Sequence, residues 1–403
     1  MSASTAAGAQ DAAPRDGARP AGMLIGRPFS LQRNGMNLVR LVLATSVLFH
    51  HSFPLLGLGE GPVWGVEAIG GWAVIGFFSL SGYLIMASRR TKTFGEYLTL
   101  RIARIYPAFL VCLAVTALVF APISWRRAHG SLEGFWTAPA MPWQYLWNNI
   151  TLKMTTWNVA GTPLDVPYPG AWNGSLWSLY YEFWCYLVIA VLGILAVARR
   201  RAWPVLLLWA ASVAFWVLVH RTGRFDMIGF DLQMLGKLLP YFLAGSVLQM
   251  LRGRIGMHPL LALAAAAGFI AAVQWDPVIG GQIASLCGTY VLLWISHVLW
   301  SPGWVRRHDI SYGMYIYAFQ VQQLLAVLGF ASLGYWRYSL LALAATVPFA
   351  LASWFLLERP VLRAARRSIA PPAAAAAGTA TAGAPTTSGP DRTDESITSP
   401  GGS

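Results

Sequence analysis

The sequence predicts an all-α integral membrane protein, a bundle of about ten transmembrane helices with both ends in the cytoplasm. Three observations carry this prediction: the composition, the spacing of the apolar segments and the distribution of basic residues. Of the 403 residues, 56% are hydrophobic and only 11% are charged, whereas a typical soluble domain carries about 25% charged residues. Such a chain has too few charged side chains to cover a water-facing surface, so its composition suits the bilayer.

The apolar residues occur in segments of roughly twenty, the length that an α-helix needs to cross about 30 Å of hydrocarbon. Strands of a membrane barrel would alternate apolar and polar residues instead, and the sequence has no such alternation. We therefore expect helices. The predicted spans are 38–56, 68–87, 105–123, 173–197, 203–220, 235–251, 259–275, 280–300, 311–329 and 337–357.

The basic residues indicate the orientation. With the N-terminus inside and every segment crossing, 21 of the 29 Lys and Arg residues fall in cytoplasmic segments and 6 in extracytoplasmic ones. This is the bias of the positive-inside rule, and it also supports the count of ten. The net charge of +13 follows from topology and from attraction to anionic lipid, so no nucleic-acid partner is expected.

The domain organisation follows from the same patterns. Residues 34–368 form the predicted transmembrane domain, with one long extracytoplasmic loop at 124–172. Residues 1–33 and 369–403 are low-complexity segments with too little apolar material to fold, so we expect disordered cytoplasmic tails. The three cysteines stand far apart in apolar segments, as packing residues rather than a disulfide framework or a metal site do; they are Cys112, Cys185 and Cys287.

An ionisable side chain inside a span is costly and marks a candidate functional site. Arg40 and His51 are eleven residues apart in the first span. That spacing places both on one helical face, about 16 Å apart along the axis. The pair indicates either a functional stripe or a snorkelling arginine with a structurally bonded histidine.

Glu182 lies about as deep in the fourth predicted span as His51 does in the first. A carboxylate and an imidazole at similar depth can share a proton, which offsets the cost of burying either one. The alternatives are therefore a joint site and a structural buried pair. Four further ionisable residues stand near span ends, where a structural role is expected; they are His220, Lys237, His297 and Asp309.

Arg101 and Arg104 share a helical face at the predicted cytoplasmic end of the third span. Two guanidinium groups there can bind phosphates, although topology alone also favours basic residues at this end. Ser81, at the end of the second span, either contacts a ligand or permits close helix packing. The six tryptophans of the 124–172 loop are either interfacial anchors or surfaces for stacking against sugar rings.

Six motifs occur in an order that resembles the acyltransferase family 3 of membrane-bound acyl-CoA-dependent transferases. Arg40 and His51 form the first, an Arg and a His separated by ten residues. The resemblance runs from about residue 34 to residue 360. The other five are Phe77 to Ile85, Arg101 to Pro107, Asn173 to Glu182, Ile310 to Tyr315, and Glu358 to Pro360.

The resemblance implies transfer of an acyl group, often acetyl, from acyl-CoA to a hydroxyl of a carbohydrate-containing acceptor such as a surface, lipid-linked or cell-wall glycan or a glycosylated metabolite. His51 is then the catalytic base and Glu182 its partner. Donor binding falls to Arg40, Arg101, Arg104 and Ser81. Acceptor binding falls to His50, Asn173, Ser175, Trp177 and Tyr181.

Further expectations follow from the family. The only cofactor expected is acyl-CoA itself, as the donor substrate, and the location is a bacterial plasma membrane. Many members have a second histidine in the ninth span, where this chain has Tyr317-Ala318, so no role for it is transferred. Residues 369–403 are too short for the extracytoplasmic esterase-like domain of some members. A multi-span transporter or flippase is the alternative, although the sequence shows no inverted repeat.

Overall fold

The computed structural model describes residues 22–30 and 34–369, so most of both predicted tails lies outside the described residues. Residues 22–30 were assigned to the N-terminal tail, yet they form bridges to Ile255 and Met257. The rest is helical apart from one two-stranded hairpin. The helices in chain order are α1 Met36–Leu55, α2 Ile69–Thr91, α3 Phe94–Val115, α4 Ala121–His129, α5 Pro142–Asn149, α6 Trp177–Leu192, α7 Ala196–Arg200, α8 Trp203–Arg221, α9 Phe230–Leu251, α10 Pro259–Trp275, α11 Gly280–Ile283, α12 Ser285–Val298, α13 Gly303–Arg307, α14 Ser311–Val327, α15 Tyr335–Ala352 and α16 Arg359–Ser368.

Every predicted span contains one of these helices. Within the described residues, six helices are long and apolar enough to cross a membrane, and they start at Met36, Ile69, Phe94, Trp203, Phe230 and Tyr335. Helices α6, α10 and α12 are also apolar but shorter, and α14 is buried along nearly its whole length. The helical membrane character is therefore confirmed, and the count of ten crossings stays a prediction.

The contact between α2 and α9 forms the centre of the bundle. It is close because each helix presents a glycine to the backbone of the other. A Cβ atom added to Gly82 would stand 1.8 Å from the Phe242 carbonyl oxygen, and one added to Gly245 would stand 2.1 Å from the Ser79 carbonyl oxygen. Small residues permit such approach in lipid, where packing drives helix association. Gly82 thus has a packing role within its motif.

Helix α3 begins at a capping box and continues into a π-helical turn. Thr93 and Glu96 form a capping box, with the Thr93 N–H donating to the Glu96 carboxylate at 2.8 Å, which satisfies amides left free at the helix start. A π-helical turn at Thr116–Phe120 joins α3 to α4, and a second at Ser353–Glu358 joins α15 to α16. Such turns re-aim the side chains that they carry.

The connection between α1 and α2 and part of the 124–172 loop lie close together, with Gly57 beside Pro167. A hairpin of β1 Val63–Trp64 and β2 Glu67–Ala68 joins α1 to α2. In the 124–172 loop, Trp172 is fully buried and donates its indole N–H to the Thr162 hydroxyl at 3.0 Å. Trp172 is therefore a core residue, neither an interfacial anchor nor a stacking surface. Trp136, Trp143 and Trp147 are more than half exposed.

Replacing Gly82 with alanine is expected to separate α2 from α9, because the new methyl group overlaps the Phe242 carbonyl. Overpacking of this kind costs about 1–3 kcal/mol or more, so the melting temperature in detergent falls sharply. Gly95→Ala is the matched control, since nothing lies within 4 Å of its added Cβ. Equal melting temperatures for the two variants would contradict the packing role.

Candidate active site

A cavity of about 650 Å³ lies where α1 ends and α2 begins. His50 and His51 reach it from α1, and Tyr315 reaches it from α14. Hydroxyls, carboxylates and aromatic rings also face it, as is typical of sites that bind polar ligands. Its other polar or aromatic lining residues are Glu60, Glu67, Tyr168, Ser175 and Trp177.

The end of α1 presents the two histidines to this cavity. Pro54 has no N–H to donate to the carbonyl of His50, and the helix ends one residue later at Leu55. The His51 ring packs edge-on against Phe319, with 5.1 Å between centroids, and lies 5.5 Å from the His50 ring. Its Nδ1 atom is buried without a hydrogen-bond partner among the described residues. Packing rather than a carboxylate therefore holds this imidazole.

Two glycines leave the room that this arrangement needs. A Cβ atom at Gly70 would stand 2.3 Å from the His50 ring. One at Gly174 would stand 2.5 Å from the Phe319 ring, which packs on His51. Gly174 belongs to the Asn173 to Glu182 motif, so part of that motif supports the histidines through packing.

The predicted acceptor residues divide into two groups. Ser175 and Trp177 line the cavity together with His50. Asn173 does not; its amide donates to the Tyr145 hydroxyl and to Thr116 within a fully buried polar group. Tyr181 is likewise turned away, with its hydroxyl donating to Asp231 at 3.0 Å. Geometry thus favours structural roles for Asn173 and Tyr181.

Sequence reasoning missed four of the polar or aromatic lining residues. Tyr315 lies in a family motif, and its hydroxyl donates to the Ser175 carbonyl at 2.7 Å. Glu60, Glu67 and Tyr168 come from connecting segments, where no helical period indicates which side chains face inward. Glu67 is also the ion-pair partner of Lys237, so Lys237 is paired inside the bundle rather than snorkelling.

At the other end of α1, four charged residues form an ion network. Asp309 accepts hydrogen bonds from Arg40 and, at 2.7 Å, from Arg104. Arg104 also donates to Glu358 at 2.7 Å. Their side chains are between 0% and 16% exposed, and hydroxyls of Ser311 and Ser353 complete the carboxylate bonding. Residues from four of the six motifs therefore meet in this network.

Asp309 stays ionised in this network. Burial by itself raises the pKa of the carboxyl, but the guanidinium groups of Arg40 and Arg104 and the bonds from Ser311 hold the pKa at about 2, below its ordinary 3.8. Because the folded-state pKa is depressed, the stabilisation is fully present above pH 3.8 and is lost as the pH falls through about 2. The network therefore keeps its charge at neutral pH.

Arg101, Ser81 and Glu182 form a separate cluster. Glu182 accepts hydrogen bonds from Ser81 at 2.7 Å and from the Tyr186 hydroxyl at 2.6 Å. The Arg101 guanidinium lies over the Tyr186 and Tyr97 rings, about 6 Å from each centroid. Glu182 makes no contact with His51 in the described structure; its hydrogen bonds go to Ser81 and Tyr186. The structure thus places the two predicted catalytic residues in different clusters.

Arg101 differs from Arg40 and Arg104 in its contacts. It forms no salt bridge within the described residues, and its Nε atom is buried without a hydrogen-bond partner. A guanidinium held only by ring faces keeps its donors for another acceptor. Of the three predicted donor-binding arginines, Arg101 is the one that forms no salt bridge in the described structure, although the Glu182 carboxylate lies close enough to interact with its charge.

A family model described as an acyltransferase domain matches residues 33–355, which is most of the chain. The chain belongs to this family. The resemblance to acyltransferase family 3 is therefore confirmed, and the protein is an acyltransferase rather than the alternative transporter or flippase. The family match covers the cavity, the Arg101 cluster and the ion network except Glu358.

Two relatives align with the acyltransferase over most of their length. One, named O-acetyl transferase, comes from Shigella phage Sf6; it is 29% identical over 348 residues, 82% of this chain and 96% of its own. The other, named Nodulation protein 10, comes from Rhizobium leguminosarum bv. viciae; it is 26% identical over 359 residues, 82% of this chain and 94% of its own. No solved structure matches the chain.

Replacing Asp309 with asparagine is expected to destabilise the acyltransferase by about 3–5 kcal/mol, because it leaves Arg40 largely buried without its counter-charge. Denaturant unfolding in detergent measures this loss. Asp226→Asn is the control, since Asp226 is exposed and surface substitutions usually change stability by less than about 0.5 kcal/mol. Equal losses for the two variants would show that the Asp309 network is dispensable.

Proposed function

We propose that this acyltransferase moves an acyl group, acetyl in the simplest case, from acyl-CoA to a hydroxyl of a carbohydrate-containing acceptor, with His51 as the general base. The observation that carries the proposal is the cavity at the end of α1, into which His51 and His50 project. The buried Nδ1 of His51 has no hydrogen-bond partner among residues 22–30 and 34–369. The name of the phage relative, O-acetyl transferase, supports transfer to oxygen.

The chemical step balances without a further co-reactant. His51 removes the proton from the acceptor hydroxyl as its oxygen attacks the thioester carbonyl carbon. The carbon–sulfur bond then breaks, and the imidazolium returns the proton to the CoA thiolate. General-base catalysis of this kind contributes about 10²–10⁴-fold to the rate.

Donor binding centres on Arg101 in this proposal. Arg40 and Arg104 already have Asp309 and Glu358 as counter-ions, so their main role is to hold the helices together. Arg101 has no such partner and binds a CoA phosphate. Arg40 stands about three helical turns, or about 16 Å, from His51. The extended pantetheine arm of CoA crosses that interval and carries the thioester to the base.

Glu182 acts on the donor side rather than on His51. Its hydrogen bonds from Ser81 and Tyr186 place it beside Arg101. There it aligns the Ser81 hydroxyl and the Tyr186 ring over which Arg101 lies. The His51 ring is then oriented by Phe319 and by its neighbour His50.

The acceptor is a carbohydrate in this proposal because of what faces His51. Trp177 and Tyr168 offer ring faces, and the hydroxyl of Ser175 and the carboxylates of Glu60 and Glu67 offer hydrogen-bond acceptors for sugar hydroxyls. Aromatic faces beside polar groups suit ligands with one apolar face and many hydroxyls.

The proposed topology has ten crossings, both ends in the cytoplasm and a bacterial plasma membrane as its location. The presence of a helix in every predicted span supports this topology, as does the bias of basic residues. In this orientation the Arg101 cluster faces the cytoplasm, where acyl-CoA is found. The cavity with His51 faces the opposite side, from which the glycan arrives.

Replacing His51 with alanine is expected to lower the rate of acetyl transfer or acetyl-CoA hydrolysis by about 10²–10⁴-fold, because the general base is lost. Radiolabelled acetyl-CoA and purified protein in nanodiscs provide the measurement. His129→Gln is the control, since His129 is exposed and bonds only locally to the Trp125 carbonyl. A rate for His51→Ala within twofold of the control would remove His51 from the mechanism.

Replacing Arg101 with alanine is expected to raise the KM for acetyl-CoA by about tenfold or more, because a charged hydrogen bond to phosphate is lost. The kcat at saturating donor changes less, since Arg101 does not contact the reacting atoms. Arg90→Ala, at the same end of the bundle, is the comparison. An unchanged KM for Arg101→Ala would assign donor binding to other residues.

A further inference from the structure

A second polar cavity lies at the opposite end of the bundle, near the start of α1. Its volume is about 540 Å³, and it shares no lining residue with the candidate active site. The Gly35 N–H, just before α1, donates to the Ser296 carbonyl of α12 at 2.7 Å. Since His297, the next residue of α12, lines the cavity, the cavity lies near the start of α1. The lining residues are Gly26, Arg27, Pro28, Met257, His258, Pro259, Trp294, His297 and Val298.

The segment 22–30 is bound to the bundle and forms one wall of this cavity. The Arg27 N–H donates to the Met257 carbonyl at 3.0 Å, and the Met257 N–H donates to the Arg27 carbonyl at 2.8 Å. Gly26 has φ +80°, and a Cβ atom there would stand 2.6 Å from the Gly256 backbone. Phe29 packs against Tyr83 and His297. Arg27 is therefore held at the cavity by its own backbone.

The lining residues include one arginine and two histidines and no acidic residue. Arg27, His258 and His297 line the cavity. The sequences that form it, residues 22–30, 250–275 and 280–308, contain no Asp or Glu. Arg27 forms no salt bridge within the part of the chain that the structure describes, in contrast to Arg40 and Arg104.

Two imidazoles of this cavity also lack partners. The Nδ1 atoms of His258 and His297 are buried without a hydrogen-bond partner in the described structure. Buried polar atoms are normally paired, and an orphan calls for an explanation such as a bound ligand. Beside them, Trp294 contributes a flat apolar surface.

We propose that this cavity binds a phosphate group, with Arg27, His258 and His297 as the donors and Trp294 against the rest of the ligand. Guanidinium and imidazole donors without a competing carboxylate suit phosphate oxygens. The phosphate belongs to a nucleotide or to the headgroup of an anionic phospholipid. In its nucleotide form, the inference rests on the proposed acyl-CoA donor; in its lipid form it is independent of that proposal.

The test is a binding measurement with two probes. One is radiolabelled adenosine 3′,5′-bisphosphate, added to protein in phosphatidylcholine nanodiscs. The other is phosphatidylglycerol, whose retention from a mixture with phosphatidylcholine is measured by native mass spectrometry. The variant is Arg27→Gln combined with His297→Gln. The matched control combines Arg366→Gln with His129→Gln, which makes the same chemical changes at two exposed residues elsewhere.

We expect the variant to bind one of the probes about tenfold more weakly than the wild type, because a charged hydrogen bond to phosphate is lost. The control should match the wild type. The probe that is affected identifies the source of the phosphate. If the double variant does not fold, Arg27→Gln alone replaces it, because Arg27 is exposed; this single variant should also bind the probe more weakly than the wild type. Binding of both probes equally by wild type and variant, or of neither by the wild type, overturns the inference.

The phosphate-binding test can succeed or fail independently of the acetyl-transfer test of the proposed function. His51→Ala is expected to retain phosphate binding while losing acetyl transfer, because His51 is absent from this cavity. A wild-type protein that binds a phosphate probe but never cleaves acetyl-CoA would disprove the proposed donor and leave the phosphate site standing.

Discussion

The ion network around Asp309 and Arg104 is the interaction on which the rest of the bundle depends. It joins α1 through Arg40, α3 through Arg104, the start of α14 through Asp309, and the π-helical turn after α15 through Glu358. These helices are far apart in the sequence, and little apolar driving force brings helices together in lipid. Complementary charges in a medium of low polarity therefore fix how the four elements meet.

The network also decides which cations remain for ligands. Two arginines and two carboxylates balance one another there, so neither arginine carries an uncompensated charge. Arg101 lies one helical turn from Arg104 but faces Tyr97 and Tyr186 instead. A one-turn step along α3 thus separates an arginine that is paired with carboxylates from one that forms no salt bridge within the described residues. Arg27, at the second cavity, likewise forms no salt bridge in the described part of the chain.

Small residues give the bundle its second constraint. Gly82 and Gly245 let α2 and α9 approach closely, while Gly70 and Gly174 make room for His50 and for the Phe319 ring behind His51. Several glycines in the family motifs are thus explained by packing around the site. The proposed base, His51, is in turn positioned by ring contacts and by the end of α1.

The sequence by itself determined the membrane-helical class, the location of every long helix and the family. Each of these depends on local properties: apolar length, basic residues and motif order along the chain. It also singled out His51, because an ionisable residue in an apolar segment is conspicuous, and Arg101, because it shares a helical face with Arg104; their roles stay predictions. Only the tertiary structure decided their partners. Asp309 became the centre of an ion network, Glu182 joined Ser81 and Tyr186, and Asn173 turned into the core. Depth in a span follows from residue number, whereas contact depends on helix rotation and on neighbours distant in sequence, which periodicity does not encode.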